Sequence, residues 1–492
     1  MKMLRNLIIL ASFIIGSTGG VLSQSLTLDS CRSLALANNK TLAISRANAD
    51  KAYYDQKAAH TNYLPKVSLA AGYMRTGDEL SLLSDRQKSQ LSSLGSNMTG
   101  QFGQLAGQIV QKYPDLAPLV QAMGEYLPQA GAALNGLGNN LVDAFRTDTR
   151  NMASAAIMLT QPLYMGGKIR AYDRITQYSK NIAGEQLRAD KQEVILSADQ
   201  AYWQVVSLSS KYRLAVAYRD MLARLDSDMK KIVAEGVATK ANGLSVSVKL
   251  NEAEMTLTKV SDGLTLARML LCQVCGLPIS SDVTLADEKL DDLPTDVADV
   301  NPDTEKALST RPELAQLETA MGIYSEKVNI ERSAFLPQLA LMGGYLTTYP
   351  GLTNGFEKRF RGTWAVGVTL NIPVWNWGEG KYRVRAVKAA ADVARYRLAD
   401  AREKIELEVN QSAFRVNEAN KKFGLSLKNL EKANENLRTA QAGFHEGVIT
   451  TSDLLQAQTA WLQANSDKID AQIDIKLTRA TLSKSLGTLG EK

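Results

Sequence analysis

"TWAVGVTLNIPVWNWGEGKYRVRAV", Thr363 to Val387, changes its repeat length halfway along. Up to Ile372 the period is two: Trp364, Val366, Val368, Leu370 and Ile372 share one face of an extended chain, and Thr363, Ala365, Gly367, Thr369 and Asn371 share the other. Beyond Pro373 and its glycines, Val384, Val387, Ala391, Ala394, Leu398, Ala401 and Ile405 recur at spacings of three and four. That is the seam of a coiled-coil helix. A strand, a proline-glycine knuckle and a long helix are expected in that order.

The same parts occur twice. "LTQPLYMGGKIR" around Pro162 matches "LNIPVWNWGEGKYRVR" around Pro373, an offset of 211 residues. "AEGVATKANGL" at 234–244 and "HEGVITTSDLL" at 445–455 keep that offset, as do Gly276 and Gly487. Upstream, "NYLPKVSLAAGYM" matches "AFLPQLALMGGYL", but Pro65 and Pro337 stand 272 apart, so the first half holds 61 extra residues between Tyr73 and Pro162. The reading is of a tandem duplication with an insert private to the first copy.

Residues 24–277 form the first repeat, with strands near 66–75 and 152–164, an insert at about 76–150, and a helical hairpin over 168–275 that turns near 236–242. A linker spans 278–300. The second repeat occupies 301–492, with strands near 338–348 and 363–374 and a hairpin over 381–486 that turns near 447–453. No proline lies between Pro162 and Pro278 or after Pro373, so nothing breaks the arms. A helix from Lys168 to Glu235 would be about 100 Å long, too long for a compact domain. Leucines and alanines in the insert suggest short helices capping the mouth, with a loose surface loop as the alternative.

Composition narrows the function class. The net charge of +6 is spread along the 492 residues, with no basic block, so nucleic acid binding is not indicated. Lys2 and Arg5 precede an apolar run from Leu7 to Ile15, which reads as a secretory leader over 1–23. No cysteine sits at the expected cleavage point, so no lipid anchor is expected. After the leader no run of eighteen apolar residues appears, which excludes a membrane helix and leaves membrane strands open. Cys31, Cys272 and Cys275 are too few for a disulfide framework, and "CQVC" within a helical stretch reads as buried small side chains. The two histidines, His60 and His445, lie far apart, and no nucleophile, phosphate-loop or metal-ligand pattern appears, so neither an enzyme nor a cofactor is expected.

Four strands of 9 to 13 residues suit a tilted crossing of a bilayer, and Trp364, Trp375, Trp377 and Tyr164 stand where interfacial aromatics anchor a barrel. Four strands cannot close a barrel, so several chains must pool theirs. The patterning by itself also admits a soluble sheet packed on helices.

Two strands per half, the knuckles "PLYMGGK" and "PVWNWGEGK", the long heptad hairpins with Gly-Val tips and a closing "LSKSLGTLG" together resemble the TolC-like outer-membrane efflux proteins. The resemblance covers all of the expected mature chain except the insert. It implies a mainly α protein with a transmembrane β part, which as a homotrimer builds a 12-stranded β-barrel in outer-membrane lipid, continued by an α-helical periplasmic barrel. It implies an exit duct for efflux or type I secretion, docked to a periplasmic adaptor and an inner-membrane pump of the resistance-nodulation-division or ABC type. Carried onto this chain, Gly236, Val237, Gly447, Val448, Ile449 and Thr450 are the adaptor-docking tips. Asp453, Gln456 and Asn242 fall at the pore constriction, where three copies of Asp453 would make an acidic ring. The other reading of Asp453 is a residue that serves the helix N-terminus, and the other reading of the tips is a tight turn. The rival to the whole is a secreted coiled-coil scaffold or adhesin with no pore.

Overall fold

The computed structural model describes residues 25–77, 83–145, 149–290, 292–351, 357 and 359–490, so the expected leader lies outside the described residues. Along the chain come α1 (Leu28–Asn38), α2 (Lys40–His60), β1 (Lys66–Arg75), α3 (Asp85–Ser92), α4 (Leu94–Lys112), α5 (Ala117–Ala144), β2 (Asn151–Met165), α6 (Lys168–Ala234) and α7 (Lys240–Cys275). Then follow α8 (Thr304–Thr310), α9 (Pro312–Ser333), β3 (Gln338–Tyr349), β4 (Arg361–Asn371), α10 (Glu379–His445) and α11 (Thr451–Ser485). They fall into two compact units. One is helical and takes the described parts of Met1–Ala59, Arg170–Glu331 and Glu379–Lys492; the other holds the strands and the insert, His60–Ile169 and Arg332–Gly378.

In the helical unit α6 and α10 are each 67 residues long, about 100 Å of helix. Small seam residues let neighbours approach. Val194, Ala198, Ala201, Tyr202 and Val205 of α6 are buried with Leu264 and Leu271 of α7, Cys31 and Ala35 of α1 and Ile473 of α11. All three cysteines are free and buried. A second cluster joins the four long helices near their turns: Leu222, Leu225 and Met229 of α6, Val246 of α7, Leu437 of α10, and Leu454 and Leu455 of α11.

Within the second repeat Arg311 is 7% exposed. Its guanidinium donates to both carboxylate oxygens of Glu408 at 2.9 and 3.2 Å, and to the carbonyls of Lys484 and Ser485 at 3.3 and 3.2 Å. Those carbonyls end α11, where the helix dipole is negative, and that of Lys484 also accepts from the Gly487 N–H at 2.8 Å. One cation therefore ties α10 to the end of α11.

The sheet runs in the order β1-β2-β3-β4, antiparallel throughout. In its register Tyr73, Ile157, Tyr345, Trp364, Val366 and Val368 belong to one face. Ser68, Ala156, Met158, Gly344, Ala365 and Thr369 belong to the other. A bulge at Leu163 moves Tyr164, which even numbering would place with the small residues, opposite Leu339 on the aromatic face. The strand expected to run to 374 ends at Asn371, because the chain turns off through Pro373. Among the described residues no helix is long and apolar enough to cross a membrane.

The insert is helical, and α5 at 28 residues is longer than the short helices expected from its composition. Its helices pack backbone to backbone: a Cβ on Gly95 would lie 1.9 Å from the Gly131 carbonyl, and one on Gly138 equally close to that of Leu91.

Gly236, Gly276, Gly447 and Gly487 all end helices in the left-handed region, but their surroundings differ. A Cβ on Gly276 would stand 2.5 Å from Cβ of Asn38, whereas Gly236 and Gly447 have open space. Gly236→Ala should cost about 1 kcal/mol for backbone conformation alone, and Gly276→Ala about 3 kcal/mol or more once overpacking is added. Thermal unfolding of the two variants checks the order.

Candidate functional site

Both arms reverse by the same device. At the end of α6 the Gly236 N–H donates to the Val233 carbonyl and the Val237 N–H to that of Ile232, each at 3.1 Å. At the end of α10 the Gly447 N–H reaches the Phe444 carbonyl at 3.1 Å and the Val448 N–H that of Gly443 at 2.8 Å. This pairing satisfies the last helix carbonyls and requires the positive φ that glycine adopts freely, here 77° and 73°. Two residues after each valine a threonine starts the return helix. Thr239 Oγ1 accepts from the Asn242 N–H at 3.3 Å, and Thr450 Oγ1 from the Asp453 N–H at 3.2 Å.

In such a cap the residue after the glycine commonly folds back onto the helix. Here it does not: Val237 is 79% exposed and Val448 81%. Ile449 does fold back, into the apolar cluster of the turns. A Cβ on Gly443 would sit 2.7 Å from its Cδ1, so Gly443 is what makes room. The most exposed apolar side chains at the tips are therefore the two valines, with Leu244 58% exposed at the first tip and Ile449 half-buried at the second.

Asp453 occupies the third position of α11, its Oδ2 accepting from the Thr450 hydroxyl at 2.7 Å. Its side chain is exposed, as are Asn242 and Gln456. Asn242 and Gln456 meet in a groove of about 630 Å³ between the starts of α7 and α11, with Ser245, Val248, Lys249 and Thr459; Asp453 is not part of its lining. The structure thus brings two of the three expected constriction residues together and gives the third a capping partner.

About three turns from the first tip the seam is polar. Buried Asp226 accepts from the Ser247 hydroxyl of α7 and pairs with Lys230 at 2.6 Å. Lys230 first, then Ser247, hold its pKa below the ordinary aspartate range. At the offset of 211 the second arm has Leu437 and Gln458 instead.

On the sheet, Trp364 stands on the apolar face, 75% exposed, opposite Tyr345, and Tyr164 joins that face through the bulge. Trp375 and Trp377 lie past the end of β4 and stack edge to face with ring centroids 5.7 Å apart. Trp377 has φ 55°, a strained setting for a bulky residue, where the first repeat has Gly166 at 61°. A Cβ at Gly166 would approach the Ser333 carbonyl to 2.7 Å, so a side chain fits only in the second repeat. The opposite face carries Met74, Met152, Met158 and Met342 among serine, alanine, glycine and threonine, and its charged residues, Lys66 and Arg361, stand at the strand ends. Reading the sequence strand by strand missed this neutral, methionine-bearing face, although its period of two was visible. It also missed the capping threonines, whose signal is the spacing Thr-x-x-Asn and Thr-x-x-Asp. Among the described residues no group of histidine, cysteine or carboxylate side chains is arranged to hold a metal.

The family described as "Outer membrane efflux protein" matches residues 109–277 and 304–488. The alkaline protease secretion protein AprF of Pseudomonas aeruginosa is 24% identical over 347 residues, 68% of this chain and 70% of that one. The outer membrane protein TolC of Escherichia coli is 22% identical over 387 residues, covering 76% and 77%. Among solved structures, the outer membrane protein VceC of Vibrio cholerae superposes with a TM-score of 0.69 at 14% identity, covering 94% of this chain and 96% of that one.

Thr239→Ala and Thr450→Ala should each cost about 1 kcal/mol of stability. Val237→Ala and Val448→Ala, at exposed positions, should stay within about 0.5 kcal/mol; unfolding scans compare them. The lowered folded pKa of Asp226 makes its pairing count above the ordinary aspartate range, and the contribution disappears as the pH falls through that lowered value. Asp226→Asn should therefore melt below the parent at pH 7, and the difference should vanish as the pH falls through that lowered value.

Proposed function

The chain belongs to the outer membrane efflux protein family, and from that premise we propose that it works as a homotrimer whose Gly-Val tips receive a periplasmic adaptor. It is an outer-membrane exit duct for efflux or type I secretion.

One observation supports the assembly above all others. Among the described residues the outer edges of β1 and β4 pair with nothing, and the sheet they bound has an aromatic, aliphatic face. A bilayer supplies no hydrogen bonds to backbone groups, so an open four-stranded sheet has no place in it. Three copies, each joining its β4 to the next copy's β1, give twelve strands and no edge. Trp364, Tyr164 and Tyr345 then face lipid, and the neutral face lines the lumen. A coiled-coil scaffold or adhesin leaves this sheet without a role.

The tips support the docking. Each presents one valine whose side chain takes no part in folding the turn, and apolar side chains held out on a rigid reversal are what a partner's helical hairpin buries. The pump behind the adaptor is of the resistance-nodulation-division or ABC type; the alkaline protease secretion relative favours a secretion machine and the family description favours efflux. At the constriction the carboxylate of Asp453 stays exposed while it accepts from the hydroxyl of the capping Thr450, so three copies set three negative charges around the axis and favour cations.

Single-channel recording of the purified protein tests the ring. Asp453→Asn removes the charge and keeps an oxygen that can accept from the Thr450 hydroxyl; the cation preference should drop severalfold with the melting temperature unchanged, and an unchanged preference sinks the ring. For docking, Val237→Asp together with Val448→Asp should lower export about tenfold or more, which corresponds to roughly 1.4 kcal/mol or more of docking energy, while trimer and membrane level hold. Normal export from that variant removes the valines from the interface.

A further inference from the structure

The insert carries a helix face with no partner. α5 turns one side, through Gly131 and Gly138, onto α3 and α4. Roughly a quarter of the way round, Leu116, just ahead of α5, begins a run continued by Leu119, Met123, Tyr126, Ala130, Ala133 and Leu137 at alternating spacings of three and four, and all of these are exposed. Tyr126 is 71% exposed, Leu119 and Leu137 each 60%. A three-four repeat held for three heptads is the pattern by which one helix meets another. Pro128 lies outside it.

We propose that this seam is covered by the same helix of the other two copies, so that three α5 helices form a parallel coiled coil over the outer mouth of the duct. The inference rests on the homotrimeric reading above. Two features point to a second copy rather than to lipid. The charges on α5 are Glu125 and Asp143, with no lysine or arginine, whereas a helix lying on a membrane surface needs a basic polar face against anionic headgroups. The insert also follows directly from β1, whose free edge is where the next copy's β4 must pair, so it starts at the boundary between copies. Ala130 and Ala133 in mid-seam give three helices room to approach closely, with leucine, methionine and tyrosine to either side. Such a bundle narrows the exit.

Cysteine cross-linking in intact outer membranes tests this. Met123→Cys lies in the seam and Gln121→Cys on the far side of the same helix; both positions are exposed, and the native cysteines are buried. Under a mild oxidant, Met123→Cys should give a disulfide-linked dimer, since three thiols around an axis pair two at a time, and Gln121→Cys less than a tenth as much. Ala130→Cys, on the same seam, serves if the Met123 variant fails to assemble. Native mass measurement of each variant separates the two levels. A trimer in which seam and far-side positions cross-link equally, or not at all, overturns the cap. Quenching by brominated lipid of a fluorophore attached to the thiol of the Met123→Cys variant overturns it in favour of the membrane surface. Absence of a trimer removes the assembly reading and the cap with it.

Discussion

The unpaired backbone of β1 and β4 is the constraint on which the rest depends. Each edge residue with nothing to bond is tolerable in water and costs several kcal/mol in hydrocarbon. A chain with four membrane strands is therefore incomplete alone, whatever the quality of its own core. The helical unit reflects the same incompleteness. Its long helices bury an alanine-rich seam, yet Phe414, Leu425 and Tyr396 of α10 are each more than 60% exposed, surface that a lone soluble protein would not keep on a helix of this length.

Duplication explains why one solution appears twice and where it was adjusted. All four helix-ending glycines use one hydrogen-bond pattern, but those at the tips stand free and those at the far ends press against Asn38 and Thr310. The knuckles show the opposite adjustment. The first must be glycine because Ser333 and Leu336 crowd it; the second is open and holds Trp377, at a conformational cost of roughly 1–2 kcal/mol.

Much of this was legible in residue order because it rests on period. The change from two to three-four after Ile372 marks strand and helix, and the offset of 211 marks the repeat. What period cannot show is where a chain departs from it. The bulge at Leu163 shifts Tyr164 to the other face by one residue, a shift no alternation count contains. At the tips the spacing located the turn, but whether Val448 or Ile449 points outward depends on the space above Gly443. Asp453 likewise had two readings in the sequence; its carboxylate accepts from the Thr450 hydroxyl and stays exposed. The insert was the least legible part, since its contacts run through glycines, which carry no hydrophobic signal.

The two arms of one chain differ in how their seams resist shear. In the first, Asp226, Ser247 and Lys230 form a directional hydrogen-bonded pin near the tip, and sliding one helix along the other must break it. In the second, the matched places hold Leu437 and Gln458, and the seam there is closed by leucine and alanine, whose contacts have no preferred direction. Sliding of α7 along α6 is thus opposed by a directional contact that the seam of α10 and α11 does not have at the matched places.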